Sequence, residues 1–168
     1  MTILELNRLP AAEAREALER CCGSQTWVDL MFKAMPFENE EDLVMTAQTA
    51  WDHCTVEDGL EAFKHHPRIG GKEELAKKFA STATWASGEQ SGVNTATDDV
   101  LQALADGNVA YEAKFGYIFI VCATGKSAPE MLEILKSRLP NAPEDEIRIA
   151  MGEQMKITHI RLQKLLAS

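Results

Sequence analysis

Signals that start and stop helices recur along the whole chain, and only one short run has the composition of a β-strand. Ser, Thr, Asn or Pro precedes many of the stretches with helical spacing, and Gly or Pro follows several of them. The strand-like run is Tyr117–Ala123, with the sequence YIFIVCA. Because one isolated strand cannot form a stable sheet, we interpret this run as a buried extended segment or the start of a helix. The sequence therefore predicts an all-α fold, a compact bundle of about seven to nine helices.

The same signals predict where individual helices begin and end. Ser24 is expected to cap a helix, and Thr55 is expected to form a capping box with Asp58. Asn39 with Glu40, Glu41 and Asp42 places acids at the positive end of another helix. The predicted helical stretches are Ala11–Cys21, Ser24–Phe32, Asn39–His53, Thr55–Lys64, Lys72–Ser81, one from about Thr84, Ala96–Tyr111, Pro129–Leu139 and Pro143–Leu166.

Composition and charge exclude several classes of protein. The length of 168 residues predicts a single domain over residues 1–168, and 45% hydrophobic with 26% charged residues is typical of a globular chain. A net charge of −9 argues against a nucleic-acid partner, which would require a basic surface. The longest apolar run, Ile118–Ala123, is far too short to span a membrane, and the first residues lack the basic region of a signal peptide. We therefore expect a cytoplasmic protein with no membrane partner.

Cysteine and histidine spacing predicts neither disulfides nor a metal site. The four cysteines have no C-x-x-C spacing, and adjacent cysteines form disulfides poorly, so reduced thiols are expected. The histidines lack a helical i, i+4 pair with a partnering acid, so no metal is expected. The cysteines are Cys21, Cys22, Cys54 and Cys122.

The sequence HHPRIGG, residues 65–71, combines a restrained imidazole with a flexible backbone. Pro67 restricts the backbone of His66, which ends the preceding helix and directs the imidazole. A histidine held in this way is a candidate general acid or base, because its ordinary pKa lies near neutrality. The alternative is a helix C-terminus whose cations suit the helix dipole, followed by a glycine turn.

Two further segments offer groups that could bind a polar ring. In TWASGEQSGV, residues 84–93, Glu89 and Gln90 supply a carboxylate and a carboxamide, and small neighbours leave room for a ligand. An ordinary exposed helix is the alternative there. The strand-like run could offer backbone N–H and C=O groups to a planar ligand, although taken alone it is better explained as core. The small neighbours are Ala86, Ser87 and Gly88, and the buried run includes Phe119, Ile120, Val121, Cys122 and Ala123.

The last helix carries a charged residue on its apolar face. Projected at about 100° per residue, Arg161 falls among apolar side chains, whereas Glu153 and Gln163 fall on the opposite face. A buried guanidinium is costly unless it is paired, so Arg161 is expected to meet a carboxylate of the protein or of a ligand. The alternative is that only its stem is buried and its guanidinium reaches solvent.

Four blocks of sequence, in this order and spacing, resemble the 2-oxo-4-hydroxy-4-carboxy-5-ureidoimidazoline (OHCU) decarboxylase family over the whole chain. The blocks are His66-Pro67-Arg68-Ile69-Gly70, Glu89-Gln90-Ser91, Lys114-Phe115-Gly116 with Phe119–Ala123, and Ile157–Leu162. The resemblance implies an all-helical fold, a homodimer, and a decarboxylase of urate degradation that uses neither a cofactor nor a metal.

The resemblance also implies roles for individual residues. His66 matches the catalytic histidine of the family and Pro67 its companion. Ala86 stands where the family commonly has serine, so the neighbouring Ser87 is the alternative hydrogen-bond partner at that point. The remaining matches are Glu89 and Gln90 with a pair that binds the substrate, Phe119–Ala123 with a stretch whose backbone contacts the substrate ring, and Arg161 with an arginine in the pocket.

The implied reaction is the decarboxylation of OHCU to S-allantoin, with His66 as proton donor and Glu89 and Arg161 as the other catalytic residues. Loss of CO₂ leaves a carbanion that can delocalise into the unsaturated ring as an enolate-like species, so no external electron sink is required. Two alternatives stay open. One is a helical interaction module without chemistry, and the other is a hydrolase or isomerase that acts on a related ureide.

Overall fold

The computed structural model describes residues 1–68, 70–79 and 91–167, and for residues 91–97 it describes the backbone alone. The described residues form nine α-helices and no β-strand, so the predicted fold class is confirmed. The predicted helical stretch from about Thr84 lies outside them. The helices are α1 Ile3–Arg8, α2 Ala11–Cys21, α3 Gln25–Ala34, α4 Glu40–Asp52, α5 Val56–Lys64, α6 Lys72–Lys78, α7 Ser91–Phe115, α8 Ala128–Arg138 and α9 Pro143–Ala167.

Side-chain caps begin the helices where the sequence predicts them. Ser24 Oγ accepts the backbone N–H three residues later at 3.2 Å, and Asn39 Oδ1 does the same at 2.8 Å. Thr55 and Asp58 form a reciprocal capping box, with N–H···O distances of 3.2 and 2.8 Å. The predicted caps at Ser24 and Thr55 are confirmed, and Asn39 is a further cap. Each supplies an acceptor to an N–H that has no partner within its helix.

Three helices differ from the prediction. The helix α6 ends at Lys78, before the predicted end at Ser81. The sequence does not predict α1, because a six-residue helix is too short for apolar spacing to be recognised. The helix α7 extends to Phe115 and begins at Ser91, beyond both ends of the predicted Ala96–Tyr111. Its last turn continues until Gly116, whose φ of +84° ends the helix in a conformation that glycine adopts readily.

The strand-like run is a buried segment without regular secondary structure, as one of the two interpretations predicts. Phe119, Ile120, Val121 and Cys122 are all buried. The backbone N–H of Cys122 donates to Glu153 Oε1 at 3.0 Å, so part of this backbone is satisfied by a side chain instead of a neighbouring strand.

The first compact unit comprises Met1–His66, Ile120–Cys122 and Ile147–Ser168. Its core contains two buried tryptophans with satisfied indole N–H groups: Trp27 Nε1 donates to the carbonyl of Ala47 at 3.1 Å, and Trp51 Nε1 donates to that of Met151 at 2.9 Å. At Gly59 a Cβ would lie 2.1 Å from the sulfur of Met151, so glycine permits the close approach of α5 to α9. The contacts with Met151 fix the part of α9 around that residue.

The second compact unit comprises Pro67–Phe119 and Ala123–Glu146. Its buried centre is polar: Arg138 Nε and Nη2 donate to Glu146 Oε2 at 2.8 and 2.6 Å, and Asn141 donates to Glu146 Oε1 at 3.0 Å. The hydroxyl of Tyr111 also donates to Glu146. Every oxygen of this buried carboxylate therefore has a donor. That the whole chain is one domain stays a prediction.

Across residues 1–68, 70–79 and 91–167, no helix combines the length and the apolar character needed to cross a membrane.

Candidate functional site

The structure brings together two of the predicted site residues, His66 and Arg161. They are 95 residues apart in the chain, yet Arg161 Nη2 lies 3.4 Å from His66 Nδ1. Both side chains are half-buried. The predicted residues Ala86, Ser87, Gly88, Glu89 and Gln90 lie outside the described residues.

The local backbone sets the direction of His66. The helix α5 ends at Lys64 with His65 as its C-cap, and the N–H of His66 donates to the carbonyl of Phe63 at 3.2 Å as a last turn. Pro67 follows and cannot continue a helix. At Gly23 a Cβ would lie 2.3 Å from Cγ of His65, so a glycine is needed where this turn packs. The backbone at His66 is therefore restrained, and this limits the directions in which the imidazole can point.

The other nitrogen of His66 meets α9. His66 Nε2 lies 2.6 Å from Gln154 Oε1, and Gln154 Nε2 donates to Thr158 Oγ1 at 3.1 Å. Thr158 Oγ1 in turn donates to the backbone carbonyl of Gln154 at 2.9 Å. Gln154 and Thr158 are buried, so this chain of hydrogen bonds is shielded from water.

Arg161 completes the contacts of the imidazole and has no carboxylate partner within 4.0 Å among the described residues. Its Nη1 donates to the carbonyl of Cys21 at 3.5 Å, a long contact. Its guanidinium also borders a cavity of about 530 Å³, which is lined in addition by Glu16, Glu19, Arg20 and His65. In the described part of the chain, the predicted carboxylate of the protein is therefore not observed. A ligand and solvent remain as partners.

Burial lowers the pKa of His66 from its ordinary value of 6.5, because the charged imidazolium is poorly solvated there. The hydrogen bond to Gln154 raises this pKa, and the positive charges of Arg161 and His65 lower it further. The net shift is downward, so the free protein holds His66 neutral near pH 7.

Two cations that follow His66 in the chain are paired with acids. Arg68 Nη2 lies 3.0 Å from Glu112 Oε2, and Lys72 Nζ lies 2.6 Å from Asp98 Oδ2. A cation paired in this way attracts an external anion less strongly. Arg161 has no such carboxylate partner among the described residues, so its positive charge remains available to an anion.

Sequence reasoning missed three polar residues of α9. Gln154 and Thr158, which the helical projection leaves unassigned, are buried, and Glu153 is half-buried with a hydrogen bond from the N–H of Cys122. The face opposite the apolar side chains is therefore covered at Glu153, whereas Gln163 is exposed. The missed signal was spacing: Gln154, Thr158 and Arg161 follow each other at i, i+4 and i+7 on one face of the helix.

A second cavity, of about 880 Å³, lies in the first unit and is lined by neither His66 nor Arg161. Its walls include Trp51, Met151 and Met155, which makes it mainly apolar. In the part of the chain that the structure describes, no three His, Cys, Asp or Glu side chains come together as metal ligands.

Comparison with protein families identifies the family of this chain. The family model described as OHCU decarboxylase matches residues 7–163 of this chain.

Similar proteins and structures agree with that match. The uric acid degradation bifunctional protein TTL of Arabidopsis thaliana is 40% identical over 146 residues, which is 86% of this chain and 45% of that protein. The chain thus spans less than half the length of that relative. The 2-oxo-4-hydroxy-4-carboxy-5-ureidoimidazoline decarboxylase of Haloferax volcanii is 23% identical over 100% of this chain and 98% of its own length. A crystal structure of OHCU decarboxylase in the presence of (S)-allantoin matches with a TM-score of 0.70 and 38% identity, covering 89% of this chain and 96% of that one.

Proposed function

The chain belongs to the OHCU decarboxylase family, and from that premise we propose that it converts OHCU to S-allantoin with His66 as the proton donor. It is a decarboxylase, a lyase that acts in urate degradation. The observation that carries the role of His66 is its position, half-buried and held between Gln154 and Arg161.

The chemistry requires orientation, charge stabilisation and one proton. The C–C bond between ring carbon C4 and the carboxylate breaks, CO₂ leaves, and the electron pair forms a C4=C5 double bond while the electrons of the ring C5=N bond move onto nitrogen. The imidazolium of His66 then gives its proton to C5, the carbon that carries the ureido group, and returns to the neutral form. The 4-hydroxyl becomes the carbonyl of allantoin as its proton passes to the ring nitrogen. Delivery to one face of the ring sets the S configuration, and solvent restores the proton after each turnover.

The lowered pKa of His66 fits this cycle. In the free protein, burial and Arg161 favour neutral imidazole. An anionic substrate beside the ring favours the imidazolium, because an opposite charge stabilises the charged form. His66 therefore gains the proton that it donates when the substrate binds.

Arg161 is the proposed partner of an anionic oxygen of the substrate. Its contacts with Cys21 and His66 are long, so a substrate oxygen can replace them at little cost. Glu89 and Gln90 are proposed to bind the ureido group or the ring amides, beside Ala86, Ser87 and Gly88. Pro67 is proposed to restrain His66, and backbone groups of Phe119–Ala123 are proposed to contact the ring. These roles rest on the family resemblance.

We also propose a homodimer in the cytoplasm. The dimer rests on the family resemblance, and light scattering coupled to size exclusion tests it. The cytoplasmic location is supported by the four free cysteines, because disulfides form and persist mainly in oxidising compartments outside the cytoplasm.

Replacement of His66 tests the proposed reaction. We expect His66→Ala to lower kcat by about 10²- to 10⁴-fold, the contribution of a positioned proton donor. UV absorbance of freshly generated substrate measures the rate, and circular dichroism measures the S-allantoin formed. His53→Ala, which changes an exposed histidine of the same unit, serves as the matched control. A folded His66→Ala variant that forms S-allantoin at the native rate would exclude the role.

A further inference from the structure

The two nitrogens of His66 have partners of opposite kinds. Nε2 lies 2.6 Å from the side-chain oxygen of Gln154, which can only accept a hydrogen bond. Nδ1 lies 3.4 Å from the guanidinium of Arg161, which can only donate. A neutral imidazole satisfies both partners in one way alone, with the hydrogen on Nε2 and the lone pair on Nδ1.

The orientation of the Gln154 amide is itself fixed by Thr158. The Thr158 hydroxyl donates to the backbone carbonyl of Gln154 at 2.9 Å, as a threonine inside a helix commonly does. Its oxygen is then free to accept, and the amide nitrogen of Gln154 donates to it at 3.1 Å. The amide oxygen of Gln154 consequently faces His66. A flipped amide would place a donor toward Nε2 while Arg161 places another toward Nδ1, which a neutral ring cannot satisfy.

We propose that Gln154, oriented by Thr158, is a positioning residue that holds neutral His66 in the Nε2–H tautomer, so that Nδ1 exchanges the catalytic proton with the substrate. The inference rests on the proposed function for its catalytic part. The tautomer itself follows from the contacts of the free protein.

The arrangement links protonation of His66 to substrate binding. When Nδ1 carries a proton, it and the Arg161 guanidinium are two donors that face each other across 3.4 Å. An anionic oxygen between them would accept from both and remove this repulsion. The other neighbouring charge, on His65 if protonated, also disfavours the imidazolium without an anion. The proton therefore reaches Nδ1 when the substrate is in place.

The test combines NMR and kinetics on the full chain with ¹⁵N-labelled histidine. In the native protein above the pKa of His66, we expect the shifts and couplings of His66 to show Nε2 protonated and Nδ1 unprotonated. In Gln154→Leu we expect this preference to be lost. We also expect kcat to fall about 10- to 100-fold, the equivalent of one hydrogen bond to a charged group, with KM nearly unchanged.

Three variants control the result. Gln163→Leu makes the same exchange on the exposed side of α9 and should change neither the tautomer nor kcat. Gln154→Glu keeps an acceptor toward Nε2 and should restore the Nε2–H form. Thr158→Val removes the hydroxyl that orients the amide, and we expect a mixture of tautomers with a smaller loss in kcat. Thr158→Val also serves as the test if Gln154→Leu does not fold.

The outcomes separate the two proposals. A native His66 with the hydrogen on Nδ1, or a folded Gln154→Leu that keeps both the Nε2–H form and native kcat, would overturn the positioning role. The NMR readout needs no substrate. If His66→Ala were fully active while Gln154→Leu changed the tautomer, the proton-donor role would fail and the tautomer assignment would stand.

Discussion

Arg138 and Arg161 are two partly or fully buried guanidiniums, each in its own compact unit, and their surroundings differ. Arg138 is 5% exposed and donates twice to the carboxylate of Glu146, which is 0% exposed. Its guanidinium carbon also lies 4.7 Å from the ring centre of Phe119. Arg161 is half-buried and makes two long contacts, at 3.4 and 3.5 Å, with groups that are not carboxylates.

The difference separates a residue that stabilises the fold from one that is available to a ligand. A buried cation whose N–H donors bind a buried anion is not available to a ligand, and its removal destabilises the fold. A cation with long, neutral contacts keeps most of its capacity for a negative partner. The predictions below test this contrast by changing one arginine or its surroundings at a time.

The largest effect is expected from Arg138→Met. The change leaves the Glu146 carboxylate buried without its cation, so we expect the free energy of unfolding to fall by about 3–5 kcal/mol. Urea denaturation followed by far-UV circular dichroism measures it. Loss of less than about 1 kcal/mol, within the range of surface substitutions, would contradict a structural role for Arg138.

Arg161→Met is the matched change in the other unit, and we expect the opposite result. kcat/KM should fall about 10- to 100-fold, because a hydrogen bond to a charged oxygen of the substrate is lost. The free energy of unfolding should change by about 1 kcal/mol or less. If urea denaturation showed a loss as large as in Arg138→Met, with kcat/KM unchanged, the contrast between the two arginines would be wrong.

Tyr111→Phe removes one donor from the network around Arg138. Burial raises the pKa of Tyr111 far above its ordinary value, so this phenol remains a donor to Glu146 over the whole accessible pH range. Because Arg138 and Asn141 still satisfy Glu146, we expect a loss of about 1 kcal/mol. Combined with Arg138→Met, the change should cost less than the sum of the two single losses, because both act on one carboxylate.

The smallest effect is on the titration of His66. Arg161 lowers the pKa of His66, so we expect Arg161→Met to raise it. NMR titration of the His66 ring measures the change, with His53 as the internal reference. A pKa that stayed fixed would show that Arg161 does not act on the ring.

The same shift makes folding depend on pH. The unfolded chain takes up a proton at the ordinary pKa of 6.5, whereas folded His66 does so at a lower pH. The contribution of His66 to stability is therefore fully present above pH 6.5 and is lost as the pH falls to the folded pKa. Because Arg161 lowers the folded pKa, Arg161→Met should narrow the pH range between that pKa and 6.5 in which stability is lost.

Local features of the fold could be predicted from the sequence, and features that depend on tertiary packing could not. Helix caps such as Ser24 and Thr55 involve residues three positions apart, so their signals can be recognised directly in the chain. The helical projection places Glu153 opposite the apolar face and assumes that α9 has one covered face. The segment that contains Cys122 covers a second face of α9, and no periodicity in α9 itself indicates that.

The site follows the same division. His66 and Arg161 could be singled out because a proline and an apolar helix face make each residue conspicuous. The contact of His66 with Gln154 joins residues 88 positions apart, so the sequence indicates at most that Gln154 shares a helix face with Arg161 and not which residue it contacts. Glu89 and Gln90 lie outside the described residues, so their predicted roles stay predictions.

Gln154 and Arg161 reach the two nitrogens of one imidazole from positions seven residues apart on α9. Seven residues are close to two helical turns, which is why both side chains point the same way. Inserting or deleting one residue between them would rotate one by about 100° around the helix axis relative to the other. In the segment between Gln154 and Arg161, evolution can therefore substitute side chains but cannot insert or delete residues without separating the two contacts. We expect lineages that retain the activity to carry no gap there.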